Sequence, residues 1–294
     1  MGRDLSTTID MQGLVDSVNG LISFPLAGLK INELIQKDHA DAQALADIIR
    51  TDPALSAAVL RIANSAALGS GSSIDDIGRA VTRLGRTQIQ SLTLGLSLAQ
   101  AFKDVPVELV SMEDFWRHSL FCAAASQIVA DKAGLADKGS AFTAGLLHDI
   151  GHLILFTYRP EQAIEALEAS RADYEGLVNF ETEKQLLGFD HAELGAAFAK
   201  AWSLPDIIVQ CIGGHHHPMQ SETESTLVTA VHLGNSLAVL AENDQDDLAE
   251  APPIDERVWD KLGLEWYHLL ELTKNTVDDC QALLQLLVAD RKAA

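Results

Sequence analysis

Residues 52–66 read DPALSAAVLRIANSA. Aspartate followed by proline opens a helix: the Asp52 carboxylate can accept a backbone N–H of the first turn, and Pro53 sacrifices no bond at the first helical position. Leu55, Ala58, Val59, Ile62 and Ala66 then fall on one face, a stripe that has to pack against neighbouring helices. The same spacing recurs nearly everywhere from Met11 to Leu287, and alternating strand patterns are almost absent. The fold class that follows is all-α.

Downstream, past the loop GSGSS at 69–73, Ile74, Ile77, Val81 and Leu84 repeat the pattern up to Gly85, a C-terminal stop, and Thr87 to Phe102 give a further helix. Lys103-Asp104-Val105-Pro106 interrupts the periodicity and marks the expected boundary between an N-terminal helical lobe, 1–104, and a second lobe, 105–294. Further helices are expected at 112–133, 140–156, 160–171, 174–187, 191–202, 205–216 and 224–241. Ala241 to Pro253, with Glu242, Asp244, Asp246, Asp247 and Glu250, reads as an exposed acidic loop, and two amphipathic helices close the chain.

With 47% hydrophobic residues the chain has ample material for a core. Its 42 acidic residues against 21 basic give a net charge of -21, which repels phosphate backbones and anionic lipid and excludes nucleic acid and membrane surfaces as general partners. Cys122, Cys211 and Cys280 are widely spaced in apolar surroundings, as expected of reduced thiols. The N-terminus lacks the pattern of a secretory signal, and no apolar run approaches a membrane span. Met1 to Ser6 fits a loose myristoylation pattern without an adjacent polybasic patch, so it is read as chance and the expected location is the cytoplasm.

The chemistry-bearing residues are Asp114, His118, His148, Asp149, His152, His191, His215 and His216. Asp114 and His118 stand four apart, as do His148 and His152, and each pair shares a helical face that can point at one centre. Adjacent His148 and Asp149 diverge by about 100° around a helix, and the aspartate could bridge two ions. Asp190-His191-Ala192-Glu193 has the form of a capping box, placing His191 in a first turn whose positive end keeps the ring neutral. His215, His216 and His217 follow two glycines and precede Pro218, an expected loosened and accessible turn. His39, His232 and His268 read as surface or hydrogen-bonded core residues.

In order, His118, LLHDIG (146–151), FDHAELG (189–195) and HHHP (215–218) resemble the HD superfamily of metal-dependent phosphohydrolases. Together with FPLAGLKINEL (24–34), ALADIIRTDPALSAAVLRIANSA (44–66) and IGRAVTRLG (77–85), the chain resembles the HDOD family of signalling output domains over nearly its whole length. The resemblance implies an N-terminal helical lobe packed on an HD-like helical lobe. It implies ligand roles for His118, His148 and Asp149, and, by likeness to the HD-GYP phosphodiesterases, for His191, His215, His216 and Asp114. The final ligand, an aspartate in HD enzymes, falls on Asn235, whose amide carries no charge to balance a divalent ion. The HD-GYP lysine corresponds to His152, and the GYP segment is absent.

The expected function is therefore a regulatory HDOD-type protein that acts by binding a protein partner. Its metal site, for one or two ions of iron, manganese or zinc, is weakened by Asn235, and no residue is assigned as catalytic. The rival is a metal-dependent phosphohydrolase acting on a nucleotide, phosphomonoester or phosphodiester, with a phosphate-bearing small ligand at the same residues.

Overall fold

The structure, a computed structural model, describes residues 10–21, 26–36, 41–64, 73–102, 105, 111–173, 180–220, 225–243, 251–274, 280 and 284. Met1 to Ser6, His39, Ala66, Lys103, Asp104, Pro106 and most of the expected acidic loop, 244–250, lie outside them. Among the described residues the chain is all-α, with sixteen helices and no strand. The first six are α1 (Met11–Leu21), α2 (Leu26–Gln36), α3 (Ala42–Arg50), α4 (Pro53–Ala63), α5 (Ile77–Leu84) and α6 (Arg86–Ala101). Then follow α7 (Met112–Lys132), α8 (Lys138–Leu147), α9 (Ile150–Tyr158), α10 (Pro160–Asp173) and α11 (Phe180–Leu187). The last are α12 (His191–Ala201), α13 (Asp206–Gly214), α14 (Thr226–Glu242), α15 (Arg257–Leu262) and α16 (Trp266–Lys274).

α4 starts as its sequence requires. Asp52 caps it by accepting the Leu55 N–H at 3.0 Å, Pro53 is its first residue, and Leu55, Ala58, Val59 and Ile62 are buried. Leu55, Val59 and Ile62, with Ile31, Leu45, Ile49, Val81 and Ile89, form the smaller of two apolar clusters, built by α2 to α6. Asn64 closes this cluster: its side chain donates to the Ile74 carbonyl and accepts the Ile74 N–H, each at 2.7 Å.

The larger cluster gathers Leu14, Val15 and Val18 of α1, Leu94 and Leu98 of α6, and the inner faces of α7, α8, α9, α12, α13, α14 and α16. α7 runs through it with Trp116, Leu120, Ala123 and Val129 buried, flanked by α8 and α14. The α7–α14 crossing is close because α14 presents Gly234, where a Cβ would stand 2.3 Å from Ser126 Oγ and 2.7 Å from its backbone nitrogen. α9 and α12 cross at Gly151 in the same manner. These crossings bring the histidine-bearing ends of α7, α8, α12 and α13 to one place. No helix among the described residues is long and apolar enough to cross a membrane, and Cys122, Cys211 and Cys280 are buried and form no disulfide among the described residues.

Candidate metal centre

One continuous helix was expected over 140–156; instead α8 ends at Leu147, and His148 and Asp149 occupy the turn before α9. The His148 ring contributes to that break. Its Nδ1–H donates to the Gly145 carbonyl at 2.8 Å, giving a terminal carbonyl of α8 a side-chain donor. At the end of α13, His215 does the same to the Ile212 carbonyl at 2.7 Å. Asp190 and Glu193 form the expected capping box, which sets His191 in the first turn of α12. His118 comes from the second turn of α7.

Asp149 lies at the centre. Its Oδ2 is 3.2 Å from His148 Nε2 and 3.7 Å from His118 Nε2, while its Oδ1 is 3.3 Å from His191 Nε2 and 3.6 Å from His215 Nε2. His216 adds its Nε2 at 2.8 Å from that of His191. The other nitrogen of each of the four rings is committed outward: His148 and His215 to the carbonyls above, His118 to Glu242 Oε2 at 3.0 Å, and His191 to Glu183 Oε2 at 2.6 Å. When neutral, all four rings turn an Nε2 lone pair toward the one carboxylate. His148 Nε2 and His215 Nε2 are buried and have no hydrogen-bond partner. Acceptors facing acceptors at these distances call for a cation between them.

The electrostatics divide the cluster. Burial opposes charging of Asp149, yet the His148 and His191 rings beside it hold its carboxyl well below the usual range. Burial and the neighbouring rings push His215 and His216 well below the usual imidazole range, so both are neutral. The helix end was expected to keep His191 neutral as well. In fact burial disfavours its charge, but the Glu183 and Asp149 carboxylates outweigh both effects and raise it to about 10. A full carboxylate at 2.6 Å exceeds the partial charge of a helix terminus. In the absence of metal, the charged His191 donates to neutral His216.

Three sets of ligating atoms lie within 4.8 Å of one another: His118, His148 and Asp149; His191, His215 and His216; and Asp149, His152 and His191. Asp149 belongs to the first and third sets, and its Oδ1 also faces His191 and His215 of the second. His152 leans on the cluster from outside, stacked on His191 with ring centroids 3.7 Å apart and donating to Glu183 Oε1 at 2.9 Å. Phe180 of α11 stacks on His216 at 4.3 Å and covers that side.

A family model described as the HDOD domain matches residues 21–218, more than half of the 294. The chain belongs to the HDOD family. A relative, an uncharacterized protein of Treponema pallidum, is 25% identical over 231 residues, covering 78% of this chain and 44% of its own length. The HDOD chain thus spans less than half of that curated relative. Among solved structures, a candidate phosphohydrolase from Shewanella amazonensis matches with a TM-score of 0.74 and 26% identity, covering 93% of this chain and 97% of its own. A candidate signal transduction protein from Marinobacter aquaeolei has a TM-score of 0.74 at 22% identity, covering 97% and 68% respectively, and so shares the fold.

Within the HDOD chain, His118, His148, Asp149, His191, His215 and His216 converge, His152 borders them, and the Asn235 amide lies beside His118. Asp114 stands apart: its carboxylate is 58% exposed and pairs with Arg117 at 2.6 Å on the outer side of α7. The i, i+4 relation to His118 places the two Cβ atoms on one side, but the nearby guanidinium claims the shorter side chain. His215 is fully buried rather than accessible, because His232 Nδ1–H grips its carbonyl at 2.7 Å. Two residues escaped the sequence reading. Glu183 is buried and accepts from His152, the His191 ring and the His191 backbone. Glu242 was assigned to an exposed loop, yet it ends α14 with a side chain 13% exposed. Its spacing of two helical turns from Asn235 was the available signal.

Proposed function

We propose that this HDOD protein is a regulator that works by binding a protein partner, and that His118, His148, Asp149, His191, His215 and His216 hold one or two divalent transition-metal ions. The single observation supporting the metal is the facing of the His118, His148, His191 and His215 Nε2 atoms against the two oxygens of Asp149, with two of those nitrogens buried and unpartnered. The donor set fits such an ion. Five imidazoles and one carboxylate suit iron, manganese or zinc better than magnesium or calcium, which take oxygen ligands. The regulatory part rests on membership of the HDOD family. Elemental analysis of the purified protein tests the first part: near-stoichiometric iron, manganese or zinc is expected, and protein that stays metal-free after supplementation overturns it.

A second reading, hydrolysis of a phosphate ester, is favoured by the position of Asp149 between two histidine sets and by the likeness to the Shewanella candidate phosphohydrolase. Ions bound there would lower the pKa of water and offset charge on phosphoryl oxygens. The chain's own part is to fix the ring tautomers and to exclude solvent around His148 and His215. Turnover of bis(p-nitrophenyl) phosphate by the metal-loaded protein, lost in His148→Ala, would establish this reading. Inert metal-loaded protein leaves the regulatory one.

A further inference from the structure

The converging donors supply little negative charge. Five are neutral imidazoles when they bind a metal, and Asp149 is the one carboxylate among them. Asn235, beside His118, contributes an amide oxygen without charge. Two further carboxylates approach from outside, one to each half. Glu183 takes the His191 Nδ1–H at 2.6 Å, and Glu242 takes the His118 Nδ1–H at 3.0 Å. A carboxylate on the far nitrogen fixes the tautomer and makes the near nitrogen a stronger donor.

Glu242 has the features of a residue held for that purpose. It sits two turns beyond Asn235 on α14, so both face α7 across the close crossing at Gly234. Its Oε1 is buried and makes no hydrogen bond, with Arg117 Nε 4.0 Å away. Arg117 in turn pairs with Asp114. A carboxylate kept this dry is costly without positive charge nearby, and Arg117, at 4.0 Å, is shared with Asp114.

We propose that Glu242 is the positioning residue of the His118–His148–Asp149 half: it locks the His118 tautomer and supplies the negative charge that Asn235 does not. Glu183 serves the His191 half in the same way. The assignment rests on the metal-binding reading above.

The test uses the full chain, titrated with zinc by calorimetry and by competition with a chromophoric chelator. Glu242→Gln is expected to weaken one bound ion by roughly 10–100-fold, the range for outer partners of metal-binding histidines, and to leave the other unchanged. Glu183→Gln is expected to weaken the other. Adding Asn235→Asp to Glu242→Gln returns a carboxylate to the His118 half and is expected to recover most of the lost affinity. An unchanged Glu242→Gln titration, equal weakening of both ions, or a double variant no better than the single one overturns the role of Glu242 alone. Wild-type protein that takes up no zinc overturns the metal reading and this assignment with it.

Discussion

Gly151 lies against the carbonyl of His191 so closely that a Cβ on it would stand 2.0 Å from that oxygen and 3.0 Å from the Gly195 nitrogen. The first turn of α9, which directly follows Asp149, and the first turn of α12 are thereby in backbone contact. Gly151→Ala must push α12 outward. A loss of about 1–3 kcal/mol or more is expected from the overpacking, read by urea denaturation. Metal affinity is expected to fall as well, since His191 moves with the helix. Wild-type stability in this variant would show that the crossing is looser than described.

Asp149→Asn keeps the shape and removes the one shared negative charge. Because each carboxylate oxygen faces a different pair of rings, both ions should be lost together. The affinity drop is expected to exceed the roughly 100-fold typical of an outer partner. Elemental analysis after exhaustive dialysis reads this directly, and full retention of either ion would refute a bridging role.

Asn64→Ala tests the smaller apolar cluster. It leaves the Ile74 N–H and carbonyl without their side-chain partner, and a loss of about 1–3 kcal/mol is expected for the unsatisfied groups. Zinc affinity measured on the folded variant should not change. A changed zinc isotherm would mean that the smaller cluster and the histidine site communicate through this clamp.

Acid and base act on the metal-free protein through His191. Its pKa is raised from 6.5 to about 10 by Glu183 and Asp149 against the opposing effect of burial. The stability this adds is complete below the unfolded value of 6.5 and is lost as pH rises through about 10. Denaturation of chelator-treated protein should therefore show weakening across that window, with a flatter profile in Glu183→Gln. The same proton has to leave when an ion binds, so zinc binding should release protons and weaken as pH falls. Calorimetry in buffers of different ionisation enthalpy measures that release, and an absence of any buffer dependence would contradict it.

The all-helical fold was legible because its signals are local. The Asp52 cap, the stripe on α4 and the Asp190–Glu193 box each sit within a few residues of the structure they specify. The histidines were legible as candidates from their local spacing, but the convergence of His191, His215 and His216 on His148 was implied only by the resemblance to HD-type proteins, because it joins helices far apart in sequence. Glu183 and Glu242 were not legible. A glutamate in a polar stretch resembles a solvated one until the chain closes, and their partners lie on other helices. Asp114 shows the converse. Its spacing from His118 permits one centre, and only the position of Arg117 determines where its carboxylate goes.

α6 contributes Ile89 and Leu92 to the smaller apolar cluster and Leu94 and Leu98 to the larger. The hydroxyls of its Ser91 and of Thr143 on α8 are hydrogen-bonded, and α8 ends at His148. A rod embedded in both halves acts as a common axle. A cut in this helix would strip apolar partners from both clusters at once.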